Sequence, residues 1–590
     1  MSYESTNISV EPKGCHVTPK LGFLFVMVAA LITVGVGIIV HFAGGSREDE
    51  VLQQCMQMAS TGNMEICQLC PASTTVTALT SMTSGSTVDI AEVTTLSSDS
   101  SSTAPTTPTT STPLLNVRLP TSVTPLHYNL EIQTYMNSTD PRDFKFKGHV
   151  KIWVKCHEES DTVTLHSLYL NIDYNSVSFM GQSPDPTTDP KFVTYEVDDF
   201  RQFLIFRLDK TMRVNTTYVL EMSYTSSISN TLVGLYYSRY TRDGTDVYLV
   251  TTSFQPTDAR KMFPCFDEPA MKASFNVTLV RPMDRISLSN MELLDSREPF
   301  LDGSITYVKD VFGKSAIMPT YLLVIAICDF TYLKATTNKG KEFRTYAVPE
   351  RLNSTKYSLD VGVKILDYFE EFFNISYPLP KLDMIALPDF VSGAMEHWGL
   401  ISYSERALLF KEGETNERDK EYVARVVSHV LAHMFDTYVV EYMYTALAND
   451  GLVSSHPLYV PVNHPDEINE IFDSISYTKG AAVVRMMSHF LGFDVFKKGL
   501  TKYLETLAYK NAFHDDLWNF MTAAEIVGAG SHQIDVKEVM DTWILQMNYP
   551  VVTVKRVDNS NTQLLVSQAR YLADRNATEL GKYKSPFKYV

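Results

Sequence analysis

"VVSHVLAHMFDTYVVEY", residues 426–442, is the stretch on which the reading of this chain turns. His429 and His433 stand at i and i+4. The longer run "KEYVARVVSHVLAHMF", residues 420–435, places Val423, Val427, Val430 and Met434 at three- and four-residue steps. That periodicity predicts an amphipathic helix. Side chains four apart on a helix share a face, so both imidazoles can reach one metal ion. Taken alone, the pair is a weak signal and better suits a solvated or core-edge helix face. The residue directly after His429 is Val430, which is apolar.

Outward from this helix the pattern divides. Upstream, "HYNLEIQTYM", "KFKGHVKIWVKC", "TVTLHSLYLNI", "TYVLEMSYT", "DVYLVTTSF" and "ASFNVTLV" are short alternating runs broken by turn residues. They predict a β-rich domain over residues 114–330. "STKYSLDVGVKILDYFEEFF" switches to helical periodicity, and further helices are expected near 467–494, 495–510 and 514–526. "PVVTVKRVDNSNTQLLVSQARYL" predicts two strands joined by a turn, the opening of a further β-domain over 548–590. About 45 residues of β-structure are too few to hold a good core alone.

The chain has 590 residues and a formal net charge of −17. That length suits three or four domains. The charge argues against a nucleic-acid partner, which requires a basic face. "LGFLFVMVAALITVGVGIIVHFA", residues 21–43, carries no charge and is long enough to span a bilayer as a helix. It is longer than a cleaved signal peptide needs. Lys13 and Lys20 precede it and "REDE" comes after it, which predicts a cytoplasmic tail at 1–20 and the bulk of the chain outside, in type II topology at the plasma membrane. Residues 44–113 are rich in Ser and Thr, as in "SSSTAPTTPTTSTP". Such a stretch cannot bury enough apolar area to fold and is expected to be an O-glycosylated stalk. Sequons at Asn137, Asn215, Asn276, Asn353, Asn374 and Asn576 all lie beyond the anchor. Seven sparse cysteines do not make a disulfide framework; Cys67 and Cys70 suit a local or intersubunit disulfide.

Three further segments give the histidine pair its context. They are "TSFQPTDARKMFPCFDEPAMKASFNVTL" (252–279), "GAMEHWGLISYSERALLF" (393–410) and "SSHPLYVPVNHPDEINEIFDSISYTKGAAVVRMMSHFLG" (454–492). Together, and in this order, they resemble the M1 family of zinc aminopeptidases from about Leu115 onward. The resemblance implies a multidomain α+β architecture. A β-sandwich or saddle domain would be followed by a thermolysin-like α/β domain over 331–547, then by the start of the small β-domain, all behind a single transmembrane helix. It implies zinc held through His429 and His433, and peptides gripped by their free N-terminus. Glu396 matches the glutamate that binds the α-amine, and a carboxylate suits an ammonium. Gly393, Ala394 and Met395 match the strand leading to it, and Gln255 the residue that lines the first specificity pocket. Tyr477 matches the oxyanion tyrosine, a sound role for a phenol aimed at developing negative charge. The resemblance also implies a homodimer or a pairing with an active paralogue.

The departures are as informative. In the family a glutamate comes directly after the first histidine and activates the zinc-bound water. Val430 holds that position and cannot take a proton, a loss of about 10²–10⁴ in rate. The third zinc ligand is expected at position 452, which is Leu452, and no later stretch carries that ligand. About 40 residues after position 434 are absent relative to the family. Asp436, Glu441 and Asp450 are the nearby acids, with Asp436 the best placed to substitute. His397 stands where the family has Asn. The expectation is a homologue that is inactive or strongly impaired. An active aminopeptidase with an unusual site and a truncated product without a role are the alternatives.

Overall fold

The computed structural model describes residues 116–185, 187–431, 443–462, 464–528, 534–556, 564–578, 583 and 585–587. The expected tail, anchor and stalk fall outside these residues. Among the described residues, no helix is long and apolar enough to cross a membrane.

The N-terminal part is built of sheets. Its central strand, Val123–Tyr135, runs antiparallel to Lys145–Cys156 and parallel to Ser274–Pro282, with His127 opposite Ser274. The alternation that predicted these strands is the alternation of burial. Tyr128, Leu130 and Ile132 face inward, as do Phe146, Val150, Ile152 and Val154 on the neighbour. A register shift between Pro125 and His127 lets inward residues resume on the correct face. The eight-stranded sheet so formed shares its apolar core with a three-stranded and a four-stranded sheet.

A mixed five-stranded sheet comes next. Its middle strand, Lys381–Leu387, lies between two parallel neighbours, Glu342–Ala347 and Leu400–Ser404, and all seven of its residues are buried. Leu382, Met384 and Ala386 pack on one face against Leu366 of the helix Lys356–Phe373 and against Val423 and Val427 of the helix Glu417–Leu431. Ile385 and Leu387 pack on the other face with Leu249, Val324 and Leu400. The continuous apolar run is what a strand covered on both faces requires. The two-residue strand Ala394–Met395 forms the outer edge of this sheet, antiparallel to Leu400–Ser404.

The last part is helical. Gly480–Leu491, Phe493–Thr506, His514–Gly528 and Val536–Ile544 enclose a separate core around Met487, Trp518, Met521 and Met540. The single helix expected over 467–494 is instead Pro465–Glu470, a π-helical turn Ile475–Lys479 and Gly480–Leu491. Asp473 causes the break. Its carboxylate accepts the backbone N–H groups of Ile475 and Ser476 at 2.9 and 3.1 Å, starting a new helical segment there. The final strands, Pro550–Arg556 and Leu564–Arg570, form the expected antiparallel pair.

Candidate active site

Segments distant in sequence converge on one cleft of about 870 Å³. Gln255, Gly393, Ala394, Met395, Glu396, His429, Val430 and Tyr477 all line it. Of the residues matched to the family's site, His433 alone is not placed, because it lies outside the described residues.

Gln255 comes after the strand Thr245–Ser253 on a segment pinned from behind. Arg260 and Asp267, both almost wholly buried, form an ion pair at 2.9 Å. Thr320 donates to the second oxygen of Asp267 at 2.6 Å, and Gln202 accepts from Arg260 at 2.9 Å. A buried ion pair holds a backbone in place when its remaining hydrogen bonds are met, as they are here.

The edge strand presents the second wall. Ala394 pairs with Tyr403 and Met395 with Ser402, while the Ser404 N–H donates to the Gly393 carbonyl at 3.0 Å. Met395 points into the core of the N-terminal part, and the next side chain, Glu396, is exposed to the cleft. Alternation along a strand gives this division without further cause.

The third wall is one face of the helix Glu417–Leu431. Tyr422, Arg425, Val426, His429 and Val430 line the cleft at i, i+3, i+4, i+7 and i+8. Val423 and Val427 point to the core, and the Ser428 hydroxyl donates to the Ala424 carbonyl at 2.7 Å. Tyr422 and Arg425 were not singled out from the sequence. Counting from His429 toward the N-terminus by four and by seven residues finds both.

Asn469, Phe472 and Tyr477 close the cleft from the segment around the π-helical turn. A π-turn shifts the phase of the helix that carries it. Tyr477, which sequence alone would place in a core, is half exposed. Its ring lies 6.3 Å from that of Phe472. Asp473 also meets His456 Nε2 at 3.2 Å, so the start of the turn is tied to the preceding loop.

Burial, and then the charge of Glu396, raise the pKa of Tyr477; the same two causes raise that of Tyr321. Glu396 is therefore close enough to both phenols to disfavour their ionisation. Tyr477 stays a protonated donor at neutral pH. Burial lowers the pKa of His429, which keeps its imidazole neutral, the form that binds metal.

Among the described residues, the donor set does not complete a zinc site. Among the described residues, the cleft offers the imidazole of His429 and the carboxylate of Glu396, with an apolar Val430 between the helix and the cavity. Catalytic zinc takes three protein ligands. The one described cluster of three donor groups, His514, Asp515 and Asp541, lies on helices away from the cleft. There the Lys537 ammonium already bridges Asp515 and Asp541 at 2.5 and 2.7 Å, occupying the cation position.

Two nearby candidate donors, His397 and Asp450, are buried away from the cleft. His397 is fully buried beneath the edge strand, with its Nδ1 3.2 Å from the Ser402 hydroxyl, and does not line the cleft. Asp450 is buried in an ion pair with Lys479 at 2.9 Å and accepts from Ser455 and from the Asn548 N–H. Asp436 and Glu441 lie outside the described residues.

A sheet-rich N-terminal part, a mixed sheet, and a histidine-bearing helix facing that sheet's edge strand across one cleft define a scaffold of the metallopeptidase class. The chain belongs to peptidase family M1. The family model for the "Peptidase M1 N-terminal domain" matches residues 124–322, and that for the "Peptidase family M1 domain" matches 357–436 and 433–543. The chain is 36% identical over 514 residues to aminopeptidase N of Bos taurus, covering 79% of this chain and 52% of that protein. It is 37% identical over 497 residues to the puromycin-sensitive aminopeptidase of Caenorhabditis elegans, covering 78% and 50%. It is 34% identical over 516 residues to aminopeptidase A of Gloydius brevicauda, covering 80% and 51%. The chain thus spans about half the length of the curated relatives it matches.

Proposed function

We propose that this chain is an M1-family homologue that takes peptides by their free N-terminus and has lost all or most of the family's hydrolytic activity. One observation carries the reading. Val430 lines the cleft directly after His429, while Glu396 and Gln255 remain on the same cavity. In this reading Glu396 receives the peptide ammonium through charge-assisted hydrogen bonds. Gln255 borders the first side-chain pocket and, being neutral, favours a neutral N-terminal residue. The strand Ala394–Met395, at the outer edge of the mixed sheet, is the proposed docking edge for an extended peptide. Tyr477, on the same cavity, is the proposed oxyanion donor, but the valine at position 430 cannot take a proton from water.

Zinc is the family's cofactor. When bound, it supplies Lewis-acid polarisation of the scissile carbonyl and of a water molecule. His429 faces the cavity such an ion would occupy, with His433 proposed as its companion, and no described residue serves as third ligand. The family domain matches in two pieces that meet at 433–436, which supports the loss of an internal segment there. The proposed location is the plasma membrane, in type II orientation through residues 21–43, with a homodimer or an active paralogue as partner.

The test uses the full-length chain in mild detergent. Hydrolysis of alanine p-nitroanilide is expected to stay at background, with or without a zinc chelator. Ala-Ala-Ala is expected to bind at least tenfold more tightly than its N-acetylated form. Chelator-sensitive turnover would overturn the inactive reading, and indifference to acetylation would overturn recognition through the amine.

A further inference from the structure

A second cavity of about 550 Å³ opens beside the cleft. It is lined by Arg406, Arg418 and Arg425 together with Asn416, Asp419, Glu421 and Tyr422. Tyr422 and Arg425 line both cavities. The guanidinium groups of Arg406 and Arg425 lie 5.4 and 5.5 Å from the Tyr422 ring centre. The Tyr422 hydroxyl reaches the edge strand, since a Cβ added to Gly393 would come within 3.2 Å of it. The second cavity therefore adjoins the Gly393 end of that strand, while Glu396 marks the other end.

The charge of this cavity runs against that of the chain. The whole sequence carries −17, yet three arginines here face two carboxylates. One of those carboxylates and one of the arginines, Asp419 and Arg406, are paired with each other. Asp419 accepts from the Asn416 side chain at 2.7 Å in the first turn of the helix and lies 3.5 Å from Arg406. The Arg418 side chain makes no hydrogen bond or ion pair among the described residues. Guanidinium groups stacked on an aromatic face and opening onto a cavity make a site for a carboxylate, which they meet with paired N–H donors.

Spacing selects the ligand. Gly393 and Glu396 flank the two-residue strand Ala394–Met395, three residues apart along the chain and so at most about 10 Å from each other. An extended tripeptide spans about the same length from ammonium to carboxylate. We propose that the Arg406–Arg418–Arg425 cavity is a carboxylate subsite of the peptide cleft. Its preferred occupant is a short peptide with its ammonium at Glu396 and a carboxylate about three residues further on. That carboxylate comes either from the C-terminus of a tripeptide or from an acidic third residue. The proposal rests on the reading that the cleft holds a peptide by its free N-terminus, and it names what the cleft holds at the other end.

Isothermal titration of the full-length chain with four peptides tests it. Ala-Ala-Ala is expected to bind at least tenfold more tightly than Ala-Ala-Ala-amide, with the difference shrinking as salt is raised. Ala-Ala-Asp-amide separates the two sources. Recovered affinity admits an acidic side chain, and no recovery restricts the site to a C-terminal carboxylate. Equal binding of Ala-Ala-Ala, Ala-Ala-Ala-amide and Ala-Ala-Asp-amide overturns the proposal. The double variant Arg406→Gln, Arg418→Gln changes two exposed residues away from the amine site and should abolish the tenfold preference; a preference that survives overturns the assignment. N-acetyl-Ala-Ala-Ala separates the two layers. Weak binding of the acetylated peptide alongside no carboxylate preference sinks this inference alone. Tight binding of it alongside a carboxylate preference sinks the amine reading alone. Binding of none of the four overturns both.

Discussion

Val430 is one residue, but the proposed loss of activity turns on it together with the missing third ligand. It faces the cavity and also packs against the core of the mixed sheet, alongside Val426 and Leu431. Replacing it with glutamate restores the family residue at that position but not a third ligand. Val430→Glu is therefore expected to leave alanine p-nitroanilide turnover at background. A rise of about 10² or more, the scale of a recovered general base, would show that a third ligand is present after all. His397 gives a prediction of a different kind. Burial pushes its pKa down to about 3, and its Nε2 has no hydrogen-bond partner among the described residues. The imidazole is neutral in the fold but takes up a proton in the unfolded chain below about pH 6.5. Its contribution to stability is complete above that pH and is lost as pH falls toward 3, at roughly 1.4 kcal/mol per pH unit. His166, buried with its pKa also well below the usual value, acts with the same sign. His397→Asn should flatten the acid limb of denaturant-measured stability between about pH 6 and 4. An unchanged slope would show that the group titrates normally.

At the scale of the element, the edge strand is held by the turn after it. Gly399 has φ of +78°, and a Cβ there would stand 2.0 Å from the Asn290 carbonyl oxygen. Asn290 is fixed in turn, donating to the carbonyls of Leu322 and Trp398 at 2.8 Å. Backbone cannot yield as a side-chain tip does. Gly399→Ala is thus expected to cost about 4 kcal/mol or more, lowering the thermal midpoint by about 4 °C or more. A shift of under about two degrees in a melting curve would contradict the packing described. The helix that carries His429 was legible because its apolar residues keep step over three turns. The π-turn that carries Tyr477 was not, because Asp473 interrupts the helix by capping it, and the apolar spacing runs on across the break.

At the scale of the whole molecule, one feature stands apart from the cores. The strands Pro550–Arg556 and Leu564–Arg570 are exposed on both faces, with Val551, Val552, Val554, Leu564, Leu565 and Val566 all open to solvent. A two-stranded ribbon with apolar faces and, among the described residues, no further strand on either edge is a template for association. The full-length chain should self-associate through it, and Val552→Lys with Leu565→Lys should raise the monodisperse fraction in light scattering. No change on substitution would place the association elsewhere.

The sequence alone determined the β-rich first part, the helical spacing around His429, the order of the family segments and the identity of residue 430. Local alternation and periodicity encode burial, and the valine after His429 is visible as a letter. Only the tertiary structure brought Gln255, Glu396, His429 and Tyr477 to one cavity, buried His397 away from it, and set three arginines beside it. Those outcomes depend on which faces of separate elements meet, and packing across a sheet edge decides that, not the spacing of residues along the chain.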